Sequence, residues 1–361
     1  MLFISIIFNK LKMSQSKLAH ISYNSIEQCR NTLKDLKKAR NNPDLNIPSD
    51  VEFIGTVKLH GTNCSVCYSN KTGMYCQSRN NVINLTYDNQ GFCMHIEKNK
   101  SEFESYFKLL SEKYNIDLDI YTLSLYGEWC GERIQKGVAI CLLPKCFCIF
   151  DCKVSNLKNS EFKSYWLDVS FKNMDNKCIL SKPSEKIYNI YDFETFSVKI
   201  NLDCYQDSQK QLEDLTLYVE KCCPFAKALG VEGVGEGIVW RYWYDDHNRW
   251  IFKTKGDEHK VTKEKVLVPV DTEKVENIKD FVENTCTKNR FNQAIDHIYK
   301  INPDSPQFGK IPSMKDCKVI IDWIRDDIVK EEKDTMIENG FTTKDIISEL
   351  SKKIVGLLKN Y

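Results

Sequence analysis

The chain has 361 residues, of which 42% are apolar and 28% charged, and its formal net charge is +1. This length predicts two domains rather than one, and the composition excludes a chain that is mainly disordered. A net charge so close to zero excludes attraction of nucleic acid by a uniform positive field, so such a partner would need a local basic patch.

At the N-terminus an apolar run, MLFISIIF, precedes Lys10, Lys12 and a second methionine, Met13. The run is shorter than the roughly 20 residues that a membrane span requires, and it lacks the basic start and the cleavage site of a secretory signal. We therefore predict that residues 1–13 are a dispensable extension of an intracellular, cytoplasmic protein with no membrane partner. Because acidic residues are absent before Glu27, a mitochondrial presequence is the alternative.

Sixteen cysteines are scattered along the chain without the regular spacing of a disulfide framework, so we interpret them as reduced thiols. Cys64 and Cys67 form a CxxC pair. No second pair or HxxxH spacing supplies the other ligands of a zinc site, so we interpret both as packing residues of a strand.

The first predicted element is a helix in SIEQCRNTLKDLKKAR, residues 25–40, where apolar residues recur at helical spacing and Asn-Asn-Pro follows as a stop. From residue 51 to 268 the chain consists of short runs rich in β-branched and aromatic residues, which Gly, Asn and Asp interrupt. The runs are VEFIGTVKL, NCSVCY, TLSLYGEWC, FCIFDCKV, GIVWRYW and RWIFKTK. We predict an α+β domain over residues 14–268, mainly of antiparallel sheet, with helices such as 101–113 between strands.

After Pro269 the pattern is helical to the end of the chain. Asp271 is a candidate N-cap, Gly340 a helix stop, and Thr342 the start of the last helix. The apolar residues form three stripes, Val275, Ile278, Phe281 and Val282, then Ile320, Ile321, Ile324 and Ile328, then Ile346, Ile347, Leu350, Ile354 and Leu357. We therefore predict an all-helical C-terminal domain over residues 269–361.

Six short stretches of the β-rich part carry reactive, phosphate-binding or aromatic side chains. In chain order they are KLHGTN (58–63), SRN (78–80), LYGEWCG (125–131), CIFD (148–151), EGIVWR (236–241) and FKTKGDEH (252–259).

These side chains indicate one chemistry. Lys58 could attack phosphorus as a neutral amine, but at an ordinary lysine pKa of about 10.4 almost none is neutral at pH 7. Lys253 and Lys255, two residues apart and so on one face of a strand, would lower that pKa and hold a phosphate if they lie beside Lys58. Glu128 and Glu236 each adjoin a glycine, where a carboxylate can reach a ribose hydroxyl or a hydrated magnesium ion. Together with a stacking aromatic, these groups indicate nucleotidyl transfer.

The order of the motifs carries a resemblance. KxHGTN, followed by YGEWCGERIQKGV, IFD, EGIVWR and FKTK, resembles the motif set of the covalent nucleotidyltransferase superfamily of ligases and capping enzymes. Within it the chain is most similar to the bacteriophage RNA ligase 2 family, which includes trypanosome RNA-editing ligases, over roughly residues 20–260. DNA ligases and capping enzymes typically have KxDG at the nucleophile, so His60 in the acidic position favours an RNA ligase. The stretch 152–235, between IFD and EGIVWR, is long and could hold an insertion.

The resemblance implies a catalytic set. Lys58 would become AMP-lysine, Glu236 would bind the metal that organises the phosphates, and His60 would help to complete the active-site turn. Lys253 and Lys255 would engage the α-phosphate. The implied cofactors are ATP and Mg²⁺, or Mn²⁺ in its place.

The resemblance also implies residues that bind the nucleotide beside that set. Glu128 would contact the ribose, and Phe150 would stack on adenine. Asn63 would complete the turn with His60, and Arg79 would help to hold a nucleotide or RNA phosphate. By themselves, however, Phe150 could be a core residue of its strand, His60 a turn residue and Arg79 the start of a loop.

The implied function is an ATP-dependent RNA ligase. It would join RNA 3′-hydroxyl and 5′-phosphate ends through lysyl-AMP and an RNA-adenylate, at nicks in duplex or bridged RNA, as in RNA repair. The partner would be those RNA ends, and we expect a monomer whose helical C-terminal domain binds them. One alternative is a ligase of DNA or mixed RNA–DNA nicks. Another is a decayed ligase core that only binds RNA, which is disfavoured by the presence of Lys58, Glu128, Glu236, Lys253 and Lys255.

Overall fold

A computed structural model describes residues 18–42, 45–159, 161–245, 247–256, 274–302, 304–338, 340–359 and 361. By its internal contacts the chain divides into two compact units, Met1–Thr254 and Lys255–Tyr361. The predicted extension 1–13, the N-cap Asp271 and the predicted boundary after residue 268 lie outside the described residues, so the limits of the two domains stay a prediction.

The first unit contains a sheet of five strands. In spatial order they are β1 (Glu27–Gln28), β12 (Arg249–Lys255), β11 (Gly237–Trp243), β2 (Asp50–Val57) and β10 (Thr195–Asn201). β2 pairs antiparallel with both β10 and β11. Ile238 stands opposite Val57 in this register. Glu236, just before β11, and Lys58, just after β2, therefore meet at the same end of these two strands.

A second sheet of seven strands carries the other half of the motifs. Its order is β5 (Val82–Ile83), β4 (Gly73–Ser78), β3 (Thr62–Ser69), β6 (Thr122–Cys130), β7 (Cys146–Ser155) and β8 (Tyr165–Leu167), with β9 (Ile187–Asn189) parallel to β7. Neighbouring strands from β5 to β8 run antiparallel. The predicted runs at β6, β11 and β12 match the observed strands residue for residue.

Each sheet packs against helices through its own apolar core. The helices of this unit are α1 (Cys29–Arg40), α2 (Phe92–Lys98), α3 (Lys100–Tyr114), α4 (Gln206–Lys221) and α5 (Pro224–Ala228). α1, α4 and α5 share a first core with Phe53, Trp240 and Phe252 of the first sheet. α2 and α3 share a second core with Leu125 and Phe147 of the second sheet. Burial of such large apolar side chains is the main driving force for this arrangement.

β2 shows how the sequence sets the direction of the candidate nucleophile. Phe53 and Val57 are buried in the first core, whereas Glu52 and Ile54 are exposed, which is the two-residue period of a strand with one buried face. Lys58 continues the face of Glu52 and Ile54. Its side chain therefore leaves the sheet away from the first core.

A β-bulge in β7 changes the direction of two consecutive side chains. Tyr126 stands opposite Asp151, but the next residue, Gly127, stands opposite Ile149, so Phe150 is the extra residue of the bulge. Residues on both sides of it pack in the second core, namely Phe147, Ile149, Cys152 and Val154. Because the extra residue shifts the alternation, Phe150 and Asp151 both turn away from that core.

The segment before β1 is fastened to the second sheet. The Ile21 N–H donates to Gln77 Oε1 at 3.0 Å, and Gln77 Nε2 donates back to the Ile21 carbonyl at 2.6 Å. The Tyr126 hydroxyl donates to the same carbonyl at 2.6 Å. These bonds fix the chain two residues before Tyr23, whose ring is buried beside the bulge.

The predicted helix over residues 25–40 begins later than its apolar pattern suggests. Glu27 and Gln28 form β1, in register with Phe252 and Lys253 of β12, and the helix starts at Cys29. Pairing with a sheet edge here prevails over local helical spacing, because strand register is a tertiary contact that one segment of sequence does not reveal.

The long stretch 152–235 contributes elements to both sheets, and the insertion predicted within it stays a prediction. It supplies β8 and β9 to the second sheet, β10 to the first sheet, and α4 and α5 to the first core. These short elements therefore account for part of its length.

The second unit is helical in its described residues. Its helices are α6 (Lys274–Thr285), α7 (Lys288–Asp296), α8 (Cys317–Glu331), α9 (Lys333–Glu338) and α10 (Thr343–Lys359). Gly340 has a φ of 64°, which is typical of a helix stop. The Thr342 N–H donates to Asp345 Oδ2 at 2.7 Å, which is typical of a helix start. The described residues of the predicted stripes are mostly buried together, although Ile347 is exposed. The side chain of Val275, in the first stripe, lies outside the description.

The predicted α+β class, with mainly antiparallel sheets and a helical C-terminal part, is confirmed. Among the helices of the described residues, none combines the length and the apolar character that a membrane crossing requires.

Candidate active site

The turn after β2 is fastened to the start of β11. The Lys58 N–H donates to the Gly237 carbonyl at 2.8 Å. Gly237 has a φ of 151°, a conformation that favours glycine because it has no Cβ. This bond brings the backbone of Lys58 next to Glu236.

Lys58, His60 and Glu236 form one hydrogen-bonded group. Lys58 Nζ lies 2.7 Å from Glu236 Oε2, and His60 Nδ1 lies 3.1 Å from the same oxygen. The Glu236 side chain is 4% exposed, whereas that of Lys58 is 21% exposed. A buried carboxylate therefore holds an amine that solvent, and hence a small ligand, can still reach.

Glu128 closes the other side of the turn. The Gly61 N–H donates to Glu128 Oε1 at 3.0 Å. A Cβ on Gly61 would lie 2.4 Å from the Trp129 carbonyl oxygen, so only glycine allows the turn to approach β6 this closely. We call Lys58, His60, Glu128 and Glu236 the lysine cluster.

The pKa of Glu128 is raised by its surroundings in the lysine cluster. Desolvation raises the pKa of Glu128 to about 7, Lys58 and the Gly61 N–H oppose this rise, and the charge of Glu236 adds to it. Near neutral pH this carboxyl group therefore exists in both protonation states. It can accept hydrogen bonds when ionised and donate one when protonated.

Asn63 and Arg79 lie at the border of the cluster. Asn63 is opposite Glu128 in the register of β3 and β6, so both side chains leave the same face of the second sheet. Arg79 is exposed, just after β4, and its positive charge lowers the pKa of Glu128. Their roles with a nucleotide stay predictions.

Phe150 is partly accessible to solvent. It is half-buried at the bulge of β7, and it meets the edge of the Tyr23 ring with centroids 5.5 Å apart. Phe150 also packs against the first core. Its role in stacking on a base and the alternative role as a core residue therefore both stay predictions.

Lys253 and Lys255 are both half-buried on β12. They share one face of the strand, opposite the buried Phe252. β12 is two strands from β2 in the first sheet, and Lys255 falls in the second unit. Their action on a phosphate at Lys58 stays a prediction.

The family model for RNA ligase matches residues 51–255, which is more than half of the chain and includes Lys58, Glu128, Glu236, Lys253 and Lys255. The chain belongs to the RNA ligase family. No curated protein matches this RNA ligase chain in sequence.

Solved structures of a Naegleria gruberi RNA ligase resemble this RNA ligase chain. A variant with ATP and Mn gives 17% identity and a TM-score of 0.42, the form with pyrophosphate 18% and 0.41, and a variant with AMP and Mn 17% and 0.38. Each alignment covers 66% of this chain and 56% of the Naegleria chain. The chain thus spans little more than half the length of that protein.

The carboxylates of this RNA ligase site suit a cation held partly by its ligand. Within the described residues there is no group of three or more His, Cys, Asp or Glu side chains that could hold a metal ion. Mg²⁺ commonly keeps several waters and binds through one or two carboxylates and the phosphates of its substrate. Glu236, with Glu128 nearby, fits that mode.

Sequence reasoning missed a second charged group of this RNA ligase. Asp151 and Arg241 lie within quoted motifs without an assigned role, and Arg249 and Tyr23 have no motif of their own. In the structure these four side chains contact one another. Residues at the ends of motifs IFD and EGIVWR could have signalled the pair of Asp151 and Arg241, but Arg249 could be found only from the fold.

Proposed function

We propose that this member of the RNA ligase family is an ATP-dependent RNA ligase that uses Lys58 as its nucleophile. The observation that carries the proposal is the lysine cluster, in which a reachable lysine amine is held at 2.7 Å by a buried carboxylate. Its position inside the region matched by the family model supports the same conclusion.

In the first step the Lys58 amine would attack the α-phosphorus of ATP. A nitrogen–phosphorus bond forms, the bond to the β-phosphate oxygen breaks, and pyrophosphate leaves. The amine must lose its proton before it attacks, so its ion pair with Glu236 must be exchanged for other contacts as the nucleotide binds. We assign Glu236 to the Mg²⁺ or Mn²⁺ site, where the cation would supply positive charge to the phosphates.

In the second step a 5′-phosphate oxygen of RNA would take AMP from Lys58 and form an RNA-adenylate. In the third step an RNA 3′-hydroxyl would attack that 5′-phosphate, form the phosphodiester bond and release AMP. Positioning and charge neutralisation would supply most of the catalysis, because ATP and the RNA 5′-phosphate end are both anions. We propose a nick in duplex or bridged RNA as the substrate, by the resemblance of the motifs.

The remaining proposals concern the state of the protein. We propose a cytoplasmic monomer, and the sixteen free cysteines support a reducing compartment. We also propose Glu128 as the ribose contact, because its carboxylate lies beside the turn and is available in both protonation states near neutral pH.

The deciding experiment is the intact mass of the purified protein after incubation with ATP and Mg²⁺. We expect a gain of one AMP, which disappears in Lys58→Ala and in Lys58→Arg, the variant that keeps the positive charge. Lys199→Ala, an exposed lysine on β10, is the matched control and should retain the adduct. Absence of an adduct in the wild-type protein with both ATP and GTP would contradict the proposal.

A second experiment tests the substrate. The adenylated protein is offered nicked duplexes whose 3′-hydroxyl strand ends in RNA or in DNA. We expect joining of the RNA end and a large loss with DNA, because an RNA-specific enzyme depends on 2′-hydroxyl groups. Equal joining of both ends would favour a DNA or mixed-nick ligase.

A further inference from the structure

A buried group of charges lies beside Phe150. Arg249 is bidentate to Asp151, since its Nη1 contacts Oδ1 and its Nη2 donates to Oδ2 at 2.8 Å. The Arg249 side chain is 2% exposed and that of Asp151 is 1% exposed. The Tyr23 hydroxyl donates to Asp151 Oδ2 at 2.5 Å. We call Tyr23, Asp151, Arg241 and Arg249 the arginine cluster.

Two tryptophans hold the guanidinium of Arg249. Its central carbon lies 4.1 Å from the centroid of the Trp166 ring and 5.5 Å from that of Trp243. A planar guanidinium in contact with aromatic rings and bonded at its edge to a carboxylate has little freedom to turn. Lysine could not reproduce this geometry.

The arginine cluster is a poor device for stability alone. Arg241 also contacts Asp151, with Nη2 3.7 Å from Oδ2, so two buried guanidinium groups share one carboxylate. The Nε atoms of both arginines are buried and have no hydrogen-bond partner among the described residues. Burying charges in this way costs more than packing apolar side chains of similar volume, which suggests another role.

The cluster acts on Phe150 by two routes. Asp151 is the next residue in the bulge, so its bonds to Arg249 fix the backbone from which the Phe150 ring projects. Tyr23 bonds to Asp151 and packs edge-on against Phe150, so it fixes the ring from the side. Arg249 belongs to β12, in the other sheet.

We propose that Arg249 is a positioning residue for the nucleobase. Through its bidentate pair with Asp151 it holds the bulge of β7 in the one conformation in which Phe150 stacks on the base of ATP. This inference deepens the proposed function and rests on it. It assigns to Arg249 the placement of Phe150 and no contact with the reacting phosphate.

The test compares ATP with ribose 5′-triphosphate, which lacks the base. For each of these two compounds we measure the concentration that gives half the maximal rate of adduct formation on Lys58. In Arg249→Lys and Arg249→Met we expect this concentration to rise about tenfold for ATP, a typical loss of base stacking, and to stay the same for ribose 5′-triphosphate. Phe150→Ala should give the same result, and Phe150→Ala with Arg249→Met should add no further loss.

Three controls separate positioning from stability. Arg40→Met removes a different bidentate pair, with Asp203, and should change neither concentration. If Arg249→Met does not fold, the triple variant Asp151→Leu, Arg241→Met and Arg249→Met replaces the carboxylate and both guanidinium groups by apolar side chains. In this variant the half-maximal concentration should still rise for ATP and not for ribose 5′-triphosphate. Wild-type protein that forms no adduct with ATP would refute the proposed function and this inference with it. A wild-type adduct together with equal losses for both compounds, or with no loss in any Arg249 variant, would overturn this inference alone.

Discussion

The lysine cluster and the arginine cluster consist of similar groups in one unit, and they differ in exposure. Each has at least one carboxylate and at least one strong cation in contact. Lys58 is 21% exposed in its side chain and lies where a turn leaves β2, whereas Arg249 is 2% exposed and contacts two tryptophan rings. A salt bridge in the first cluster can be exchanged for a ligand, but one in the second cannot.

Exposure separates the charged residues to which we assign chemistry from those to which we assign a supporting role. A carboxylate paired with a reachable amine can change its partner, as we propose for Glu236 when a nucleotide binds. A carboxylate paired with buried guanidinium groups keeps its partners and fixes the backbone around it. Loss of the carboxylate in the lysine cluster should therefore lower the rate of adduct formation. Loss of the carboxylate in the arginine cluster should instead lower the free energy of unfolding.

The largest expected effect is on folding, in Asp151→Ala. Loss of this carboxylate leaves two buried guanidinium groups without their anion, which should lower the free energy of unfolding by about 3 to 5 kcal/mol. Urea unfolding followed by tryptophan fluorescence measures it. The exposed pair of Arg40 and Asp203 gives the matched control, since Asp203→Ala should cause no measurable change. Equal stability of Asp151→Ala and Asp203→Ala would remove the distinction between the clusters.

The sequence predicted the lysine cluster better than the arginine cluster, and the reason is local. Lys58, His60 and Gly61 lie in one turn, and Glu128 and Glu236 each adjoin a glycine, so short motifs contain the signal. Asp151 and Arg249 are distant in the chain and meet because β7 and β12 belong to two sheets that contact each other there. No periodicity in either strand reveals that meeting.

The fold shows the same limit. Runs of β-branched and aromatic residues between turn residues predicted β6, β11 and β12 to the residue. They did not predict the start of α1 at Cys29, since β1 forms only by pairing with β12. Nor did they predict the bulge at Phe150, because an extra residue in one strand is defined only against its partner.

The second expected effect is on rate, in Glu236→Gln. The amide keeps the size of the side chain but loses the charge that pairs with Lys58 and that would bind the metal. The rate of adduct formation with ATP should fall about 10²- to 10³-fold, the usual cost of removing one electrostatic group from an active site. Rapid-quench mass spectrometry measures the rate. Glu232→Gln, at an exposed position on the same loop, should keep it.

The folding of Glu236→Gln provides the contrast with Asp151→Ala. Its urea midpoint should equal or exceed that of the wild type, because the variant removes a desolvated charge whose partner Lys58 can still reach water. A large drop in the midpoint would mean that the lysine cluster is structural, as the arginine cluster is.

The third prediction concerns pH and Glu128. The pKa of Glu128 is about 7 in the folded protein, whereas the ordinary value for this carboxyl group is 4.5. Since the folded state holds the proton more tightly, the stability that this group contributes is complete below about pH 4.5 and is lost as pH rises through about 7. Relative to Glu128→Gln, the wild type should therefore lose about 1 to 3 kcal/mol of unfolding free energy between pH 5 and pH 8.

Urea unfolding of both proteins at those two pH values measures this difference. Glu132→Gln, an exposed glutamate two positions past β6, is the control and should follow the wild type at both pH values. Parallel pH profiles for the wild type and Glu128→Gln would show that Glu128 titrates as an ordinary surface carboxyl, and its proposed role at the ribose would lose its support.

The smallest expected effect is that of His60→Gln. This variant tests whether His60, a member of the lysine cluster, only holds another side chain in place, as we propose for members of the arginine cluster. His60 Nδ1 lies 3.1 Å from the Glu236 oxygen that holds Lys58, so the ring can keep that carboxylate in place without touching the nucleotide. If it acts only in this way, the rate of adduct formation should fall about tenfold, or about 1.4 kcal/mol, and the shape of the pH–rate profile should not change. Single-turnover rates from pH 6 to pH 9 measure both. An unchanged rate would make His60 a turn residue, whereas a loss above about a thousandfold with an altered profile would make it a general acid or base. A tenfold loss would show that His60 combines a property of each cluster. It is accessible to solvent, as Lys58 is, and it acts by holding another side chain in place, as we propose for Arg249.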